Sequence, residues 1–214
     1  MPSRRQNIYL CKFKAWEVFL LVLSAIVILW CACLSVQRAS LAAKLVRLHV
    51  VAASDDPADQ GRKSAVRNAV LAEAQTLLSD APDAAGAEAI LGENLEALAR
   101  AGAEALAEVG CGDAVTVSLE ERFFPTKYYD GFALPAGRYR ALRVEIGPGE
   151  GHNWWCVVFP SLCVSAASEW RDVAAAGGLS GDEIALMEDT GEVELRFKTL
   201  EWLGELERWL GSDF

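Results

Sequence analysis

An α+β fold is predicted for most of this chain: a mostly antiparallel sheet of about four strands with two long helices on one face, preceded by an N-terminal transmembrane or signal helix. Three observations predict it. Four short stretches, beginning near Leu45, Val115, Ala141 and Trp154, are β-rich or alternate apolar with polar residues, the period of a strand. Two longer stretches between the first and second of these place apolar residues at helical spacing. The 168 residues after Val46 are enough for one core.

The first element is the apolar one. Val18 to Val36 carries no formal charge, and Arg4, Arg5, Lys12 and Lys14 precede it. A spanning helix needs about 20 apolar residues, and leading positive charge keeps the N-terminus cytoplasmic. Residues 1–17 then read as a basic cytoplasmic segment, 18–36 as a signal anchor or signal peptide, and the rest of the chain as exported. Arg38, Lys44 and Arg47 weaken the charge bias, and the small residues around Ser40, Leu41 and Ala42 offer a signal-peptidase site, so anchor and cleaved signal both stand. A buried soluble helix would alternate with polar positions, and this one does not.

Leu45 to Ala52 reads as a strand. Asp56 and Pro57 then start a helix, the aspartate as cap and the proline at a position whose amide has no partner. Val66, Val70, Ala74 and Leu77 form its apolar stripe. A second helix runs from Asp83 with Leu91, Leu98 and Leu106 on one side, and Gly110 and Gly112 supply a left-handed stop. Val115, Val117 and Leu119 alternate as a strand. The stretch from Pro125 to Gly137 reads as a loop or irregular edge strand, because proline cannot donate to a ladder. Leu142, Val144 and Ile146, the glycine-rich turn at 147–151, and Trp154 to Phe159 read as a β-hairpin. That turn is not a nucleotide loop: Pro148 removes an amide and no helix comes after it. The exported module spans 45–165. Residues 166–214 form a C-terminal extension, with Trp202, Leu203, Leu206, Trp209 and Leu210 making an amphipathic stripe fit for its own core, a membrane or a partner.

Composition narrows the function classes. Hydrophobic residues make up 52% and charged residues 23%, which excludes a disordered chain. Residues 47–214 hold 14 Lys and Arg against 29 Asp and Glu, a balance of −15, and no nucleic-acid face is expected without clustered positive charge. Of six cysteines, Cys111, Cys156 and Cys163 lie in the exported part, where a disulfide is permitted. A turn at Pro160 would bring Cys156 and Cys163 within bonding range; a disulfide and two buried thiols are the alternatives. Trp30 and Cys31 argue against lipidation at Cys33, since such a site wants small residues there. Two histidines and scattered cysteines lack the short paired spacing of a metal site, and no cofactor is expected. An extracytoplasmic cysteine hydrolase would use Cys156 as nucleophile, His49 or His152 as base and Asp55 to orient the imidazole. A nucleophile in mid-strand between Trp155 and Val157 is poorly exposed for that role.

Four segments carry a family resemblance: RLHVVAASD (47–55), QGRKSAVRNAV (60–70), FPTKYYDGFALPAGRYRALRVEI (124–146) and GEGHNWWCVVFPSLC (149–163). The last, with adjacent tryptophans ahead of Phe159, Pro160 and Cys163, is the most specific. Together they resemble the stage II sporulation protein R family of endospore-forming bacteria. Ala53, Asn68 and Ser161 stand where the family favours asparagine, aspartate and proline, which touches turn geometry and no reactive group. The resemblance implies a forespore signal exported to the space between the septal membranes. Its receptor would be a membrane-embedded aspartic protease that processes the precursor of the sporulation sigma-E factor, activated by contact and without catalysis by the signal. His49, Asp55, His152, Asn153, Trp154, Trp155 and Pro160 are the partner-contact candidates.

Overall fold

The computed structural model describes residues 14–163 and 169–188. The chain divides into two compact units, Met1–Val36 and Gln37–Phe214. Helix α1 (Ala15–Ala43) is long and apolar enough to cross a membrane. Its 29 residues rise about 44 Å at 1.5 Å each. Phe19, Ile28 and Leu29 on it are exposed, an arrangement costly in water and favourable in hydrocarbon.

The second unit holds a four-stranded sheet built from β1 (Val46–Val51), β2 (Val115–Phe124), β5 (Gly137–Ile146) and β6 (Asn153–Phe159), in the order β2-β5-β1-β6. The outer pairings, β2 with β5 and β1 with β6, are antiparallel, and β1 runs parallel to β5. The expected β5–β6 hairpin is therefore absent: β1 lies between the two strands. The reason is legible in β1 itself, since every one of its residues is buried, the condition of a central strand covered on both faces. The connection over residues 147–152 steps across the end of β1, with the Gly151 amide donating to the Ala52 carbonyl (2.9 Å).

Helix α2 (Pro57–Leu77) begins at the proline as expected, but the Asp56 side chain makes no capping hydrogen bond. Ser54 serves that turn instead, accepting from the Asp56 amide and donating to Asp59 (2.6 Å). The expected second long helix is broken at Asn94 into α3 (Ala84–Glu93) and α4 (Leu95–Glu108). Asn94 donates its side-chain amide to the Ile90 carbonyl (2.8 Å), the local competition with backbone bonding that makes asparagine a helix terminator. Gly110 takes the left-handed conformation that ends α4 (φ 70°); Gly112 does not share it. The helices cover one sheet face, where Leu48, Val66, Val70, Leu98, Leu106 and Leu142 are fully buried in one cluster.

The opposite face is half covered. The segment from Pro125 to Gly137 forms a two-stranded piece, β3 (Lys127–Tyr128) with β4 (Ala133–Leu134). It joins α5 (Trp170–Ala176) and α6 (Gly181–Met187) over Phe124, Tyr139, Ala141 and Val157. Leu41 and Leu45 are fully buried in this second cluster. Ser40 and Lys44 both donate to the Glu183 carboxylate at 2.8 Å. Burial alone would raise the Glu183 carboxyl, but the bonds from Lys44, Ser180 and Ser40 hold it at about 2. Residues 40–45 are thus part of the folded unit. The expected amphipathic stripe at 202–210, and the leading basic residues Arg4, Arg5 and Lys12, lie outside the described residues.

Candidate functional site

Strand alternation assigns the sheet's uncovered half. With Leu48, Val50, Leu142 and Val144 turned to the helices, register places His49 opposite Arg143 on β5 and Trp155 on β6, all on the other face. On β2 the same face carries Ser118, Glu120 and Arg122. The covered half of that face is apolar and aromatic around the buried guanidinium of Arg47; this half is charged and aromatic.

His49 is the centre of it. Only 3% of the residue is exposed, its ring lies flat on the Trp155 indole (centroids 4.0 Å apart, planes within 4°), and Nε2 meets Asn153 Oδ1 at 2.7 Å. Burial, helped by the Arg122 and Arg143 charges and opposed by the Asn153 bond, lowers its pKa to about 4. The imidazole is therefore neutral near pH 7, and since a carboxamide oxygen only accepts, the ring proton sits on Nε2. Phe124 meets the Trp155 edge (4.7 Å), and Lys127 Nζ lies 6.0 Å from the centre of the same indole. Arg143 pairs with Glu145 (2.5 Å) and, more loosely, with Glu120 (3.8 Å).

Directly below, Arg47 is fully buried. Its guanidinium stacks on Phe124 (4.3 Å to the centroid) and bonds the Cys156 carbonyl and the Tyr129 hydroxyl. Tyr139 closes the other side (5.1 Å); burial raises its phenol to about 12. Cation–aromatic contact of this kind substitutes in part for a counter-ion.

The remaining expected candidates separate. Asp55 and His152 meet in the loops beside this end of the sheet, the carboxylate accepting from the His152 backbone amide (2.6 Å) and ring Nδ1 (2.5 Å), both residues exposed. Lys63 from α2 donates to the His152 carbonyl (2.9 Å). Trp154 points to the helix side, 41% exposed, with the Arg67 guanidinium 4.3 Å above its ring. Pro160 is buried at the far end of β6, about 20 Å along the strand at 3.3 Å per residue, against Gly177. Cys156 is joined to Cys163 in a disulfide (Cα atoms 5.7 Å apart) and faces the helices with Leu48. Neither His49, across the sheet, nor His152 contacts it, so no cysteine–histidine pair is assembled. No group of His, Cys, Asp and Glu suited to a metal ion occurs among the described residues.

Arg47, Glu120, Arg122 and Arg143 were not foreseen as site residues. The signal for two of them is period two: in LVRLHV and ALRVEI each charged or imidazole side chain is one step from a core aliphatic residue, which puts them together on the other face.

No solved structure matches the chain. A curated relative from Bacillus subtilis (strain 168), named stage II sporulation protein R, is 30% identical over 180 residues, covering 75% of this chain and 80% of the relative. The family model described as stage II sporulation protein R matches residues 42–169, a range that contains both strands of the His49 site and the whole sheet. With α1 ahead of that match and the His49 face inside it, the chain belongs to the stage II sporulation protein R family and has its role in sporulation.

Proposed function

We propose that this chain is an exported sporulation signal that activates a membrane-embedded aspartic protease by direct contact, leading to processing of the sigma-E precursor, with no chemistry of its own. The observation that carries the reading is the order of its parts: a helix able to span a membrane leads straight into the family-matched module. On this reading the N-terminus remains in the forespore, the module occupies the space between the septal membranes, and the protease lies in the mother-cell membrane. Activation by docking requires only that the module bind the active state of its receptor better than the inactive one. The half-open face around His49 and Trp155 is the surface best suited to that contact, because a partly exposed aromatic ringed by polar groups is the usual form of an interface anchor.

The hydrolase alternative finds its nucleophile engaged in a disulfide. In sporulating cells, the paired substitution Cys156→Ala with Cys163→Ala, and separately His152→Ala, is expected to leave precursor processing in place. The paired variant loses about 2 to 3 kcal/mol of stability with its short disulfide loop, so its protein level is monitored by immunoblot. Abolished processing at normal levels of folded protein would assign chemistry to these side chains and end the contact reading.

A further inference from the structure

Anchor and cleaved signal differ in the fate of residues 40–42, and the fold uses those residues as core. Helix α1 does not stop where the uncharged stretch stops at Val36; it continues to Ala43, and β1 starts at Val46. Two residues separate the helix from a central strand, so no free linker joins them. The Lys44 and Leu45 amides donate to the Leu41 and Ala42 carbonyls (3.1 and 3.4 Å), which keeps the last turn closed. Leu41 and Leu45 are fully buried in one cluster with Phe124, Tyr139, Trp170 and Met187. Arg38 is buried as well, with its stem against Gly137.

Glu183 fastens the same turn. One of its carboxylate oxygens accepts from Ser40 Oγ (2.8 Å); the other accepts from Lys44 Nζ (2.8 Å) and from the Ser180 amide (2.7 Å). A single buried carboxylate therefore caps α6 and holds the end of α1. A peptide bond inside a closed helical turn is cut only from an opened form, so cleavage follows the population of that form. Opening here unwinds residues 40–43, draws Leu41 out of the core and leaves Glu183 without Ser40 and Lys44, each of which is costly. Cutting before folding has its own cost, because a module that begins at residue 43 lacks the Leu41 side chain and the Ser40 bond, and its second cluster is left with a cavity.

We propose that the signal keeps its anchor: packing of residues 38–45 into the module closes the peptidase site, and the module signals while α1 still ties it to the membrane it crossed. The proposal rests on the contact reading above and adds its range. A tethered module does not diffuse away, so it meets a receptor only where a second membrane lies within its reach. There the tether raises its effective concentration, and the signal is confined to apposed membranes.

The test places one epitope tag at each end of the full chain in sporulating cells. A full-length band bearing both tags, in the membrane fraction and resistant to alkaline carbonate, is expected throughout the period of precursor processing. In parallel, the purified full-length chain in detergent micelles is incubated with signal peptidase, and cutting at residues 40–43 is timed by mass spectrometry. The unaltered chain is expected to be cut at least about tenfold more slowly than Glu183→Ala, which keeps the sequence of the segment and frees its turn. Lys44→Met leaves Glu183 to cap α6 and keeps the test open where Glu183→Ala fails to fold; cutting about threefold faster than in the unaltered chain is expected for it. Equal rates in all three chains, fast or nil, would show that the fold does not guard the segment and would overturn the proposal. A C-terminally tagged fragment in cells that begins at residues 41–44 would overturn it too, and precursor processing alongside that fragment would leave the contact reading standing. Absent processing with the full-length band in place would defeat the contact reading and leave the tether supported.

Discussion

Gly151→Ala is expected to destabilise the module by about 3 kcal/mol, the upper part of the range for forced overpacking. A Cβ on Gly151 would lie 2.2 Å from the Ser54 carbonyl oxygen and 2.6 Å from its carbon, both backbone atoms. No rotamer change relieves such contacts. The loop is also held from within, since Gly151 and Glu150 donate to the Ala52 and Ala53 carbonyls at 2.9 and 3.3 Å. Backbone must approach backbone this closely because the connection crosses the end of β1 to put β6 on its far side. For a chain of this size, 3 kcal/mol lowers the melting midpoint by about 10 °C. The displaced loop also shifts Asn153 away from His49, so receptor affinity is expected to fall more than stability alone explains. Thermal unfolding monitored by circular dichroism checks the first part; an unchanged midpoint would mean that the crossing does not have this geometry.

Placing two charges in the apolar helix is expected to remove function altogether. Ile26 and Leu29 flank the middle of the uncharged stretch 18–36 and are exposed on α1. Arginine near a bilayer centre costs about 3 kcal/mol where leucine or isoleucine gains about half of one, so Ile26→Arg with Leu29→Arg shifts insertion by roughly 7 kcal/mol. That is enough to keep the segment out of the membrane. The module should then be recovered from the cytoplasmic fraction and the sigma precursor should remain uncleaved. The substituted positions lie in the first compact unit, outside the residues that form the sheet and its two clusters, so folding of the module is not the variable. Processing by cytoplasmic protein would refute the export step.

The secondary structure was largely legible because its signals are local. Alternation at Val115–Leu119 and Leu142–Ile146, proline at the first position of α2 and the apolar stretch in α1 each act within a few residues. Strand order was not, because pairing β1 with both β5 and β6 depends on contacts made a hundred residues apart, and adjacent strands in sequence are the natural candidates for a hairpin. Period two does carry a trace of the answer. LVRLHVV is buried at every position, yet it interleaves Arg47 and His49 with aliphatic residues, which fits a central strand whose second face is partly polar. The site was legible as residue types and not as an assembly. GEGHNWWC marks Asn153, Trp154 and Trp155 as unusual, but only register shows that Trp155 and Asn153 serve His49 while Trp154 looks the other way toward Arg67. Pro160, equally conspicuous in sequence, ends up buried against Gly177, where it shapes the turn after β6.

The central claim is that docking outside the cytoplasm is the whole of the signal, and reconstitution tests it most directly. The receptor protease is placed in sealed vesicles that enclose the sigma precursor, and the purified chain is added to the outer face in detergent-stabilised form. The account predicts that precursor cleavage begins only on addition of the chain, saturates with its concentration, and survives Cys156→Ala with Cys163→Ala. Cleavage that proceeds equally without the chain, or that is absent when the chain is bound, would contradict it.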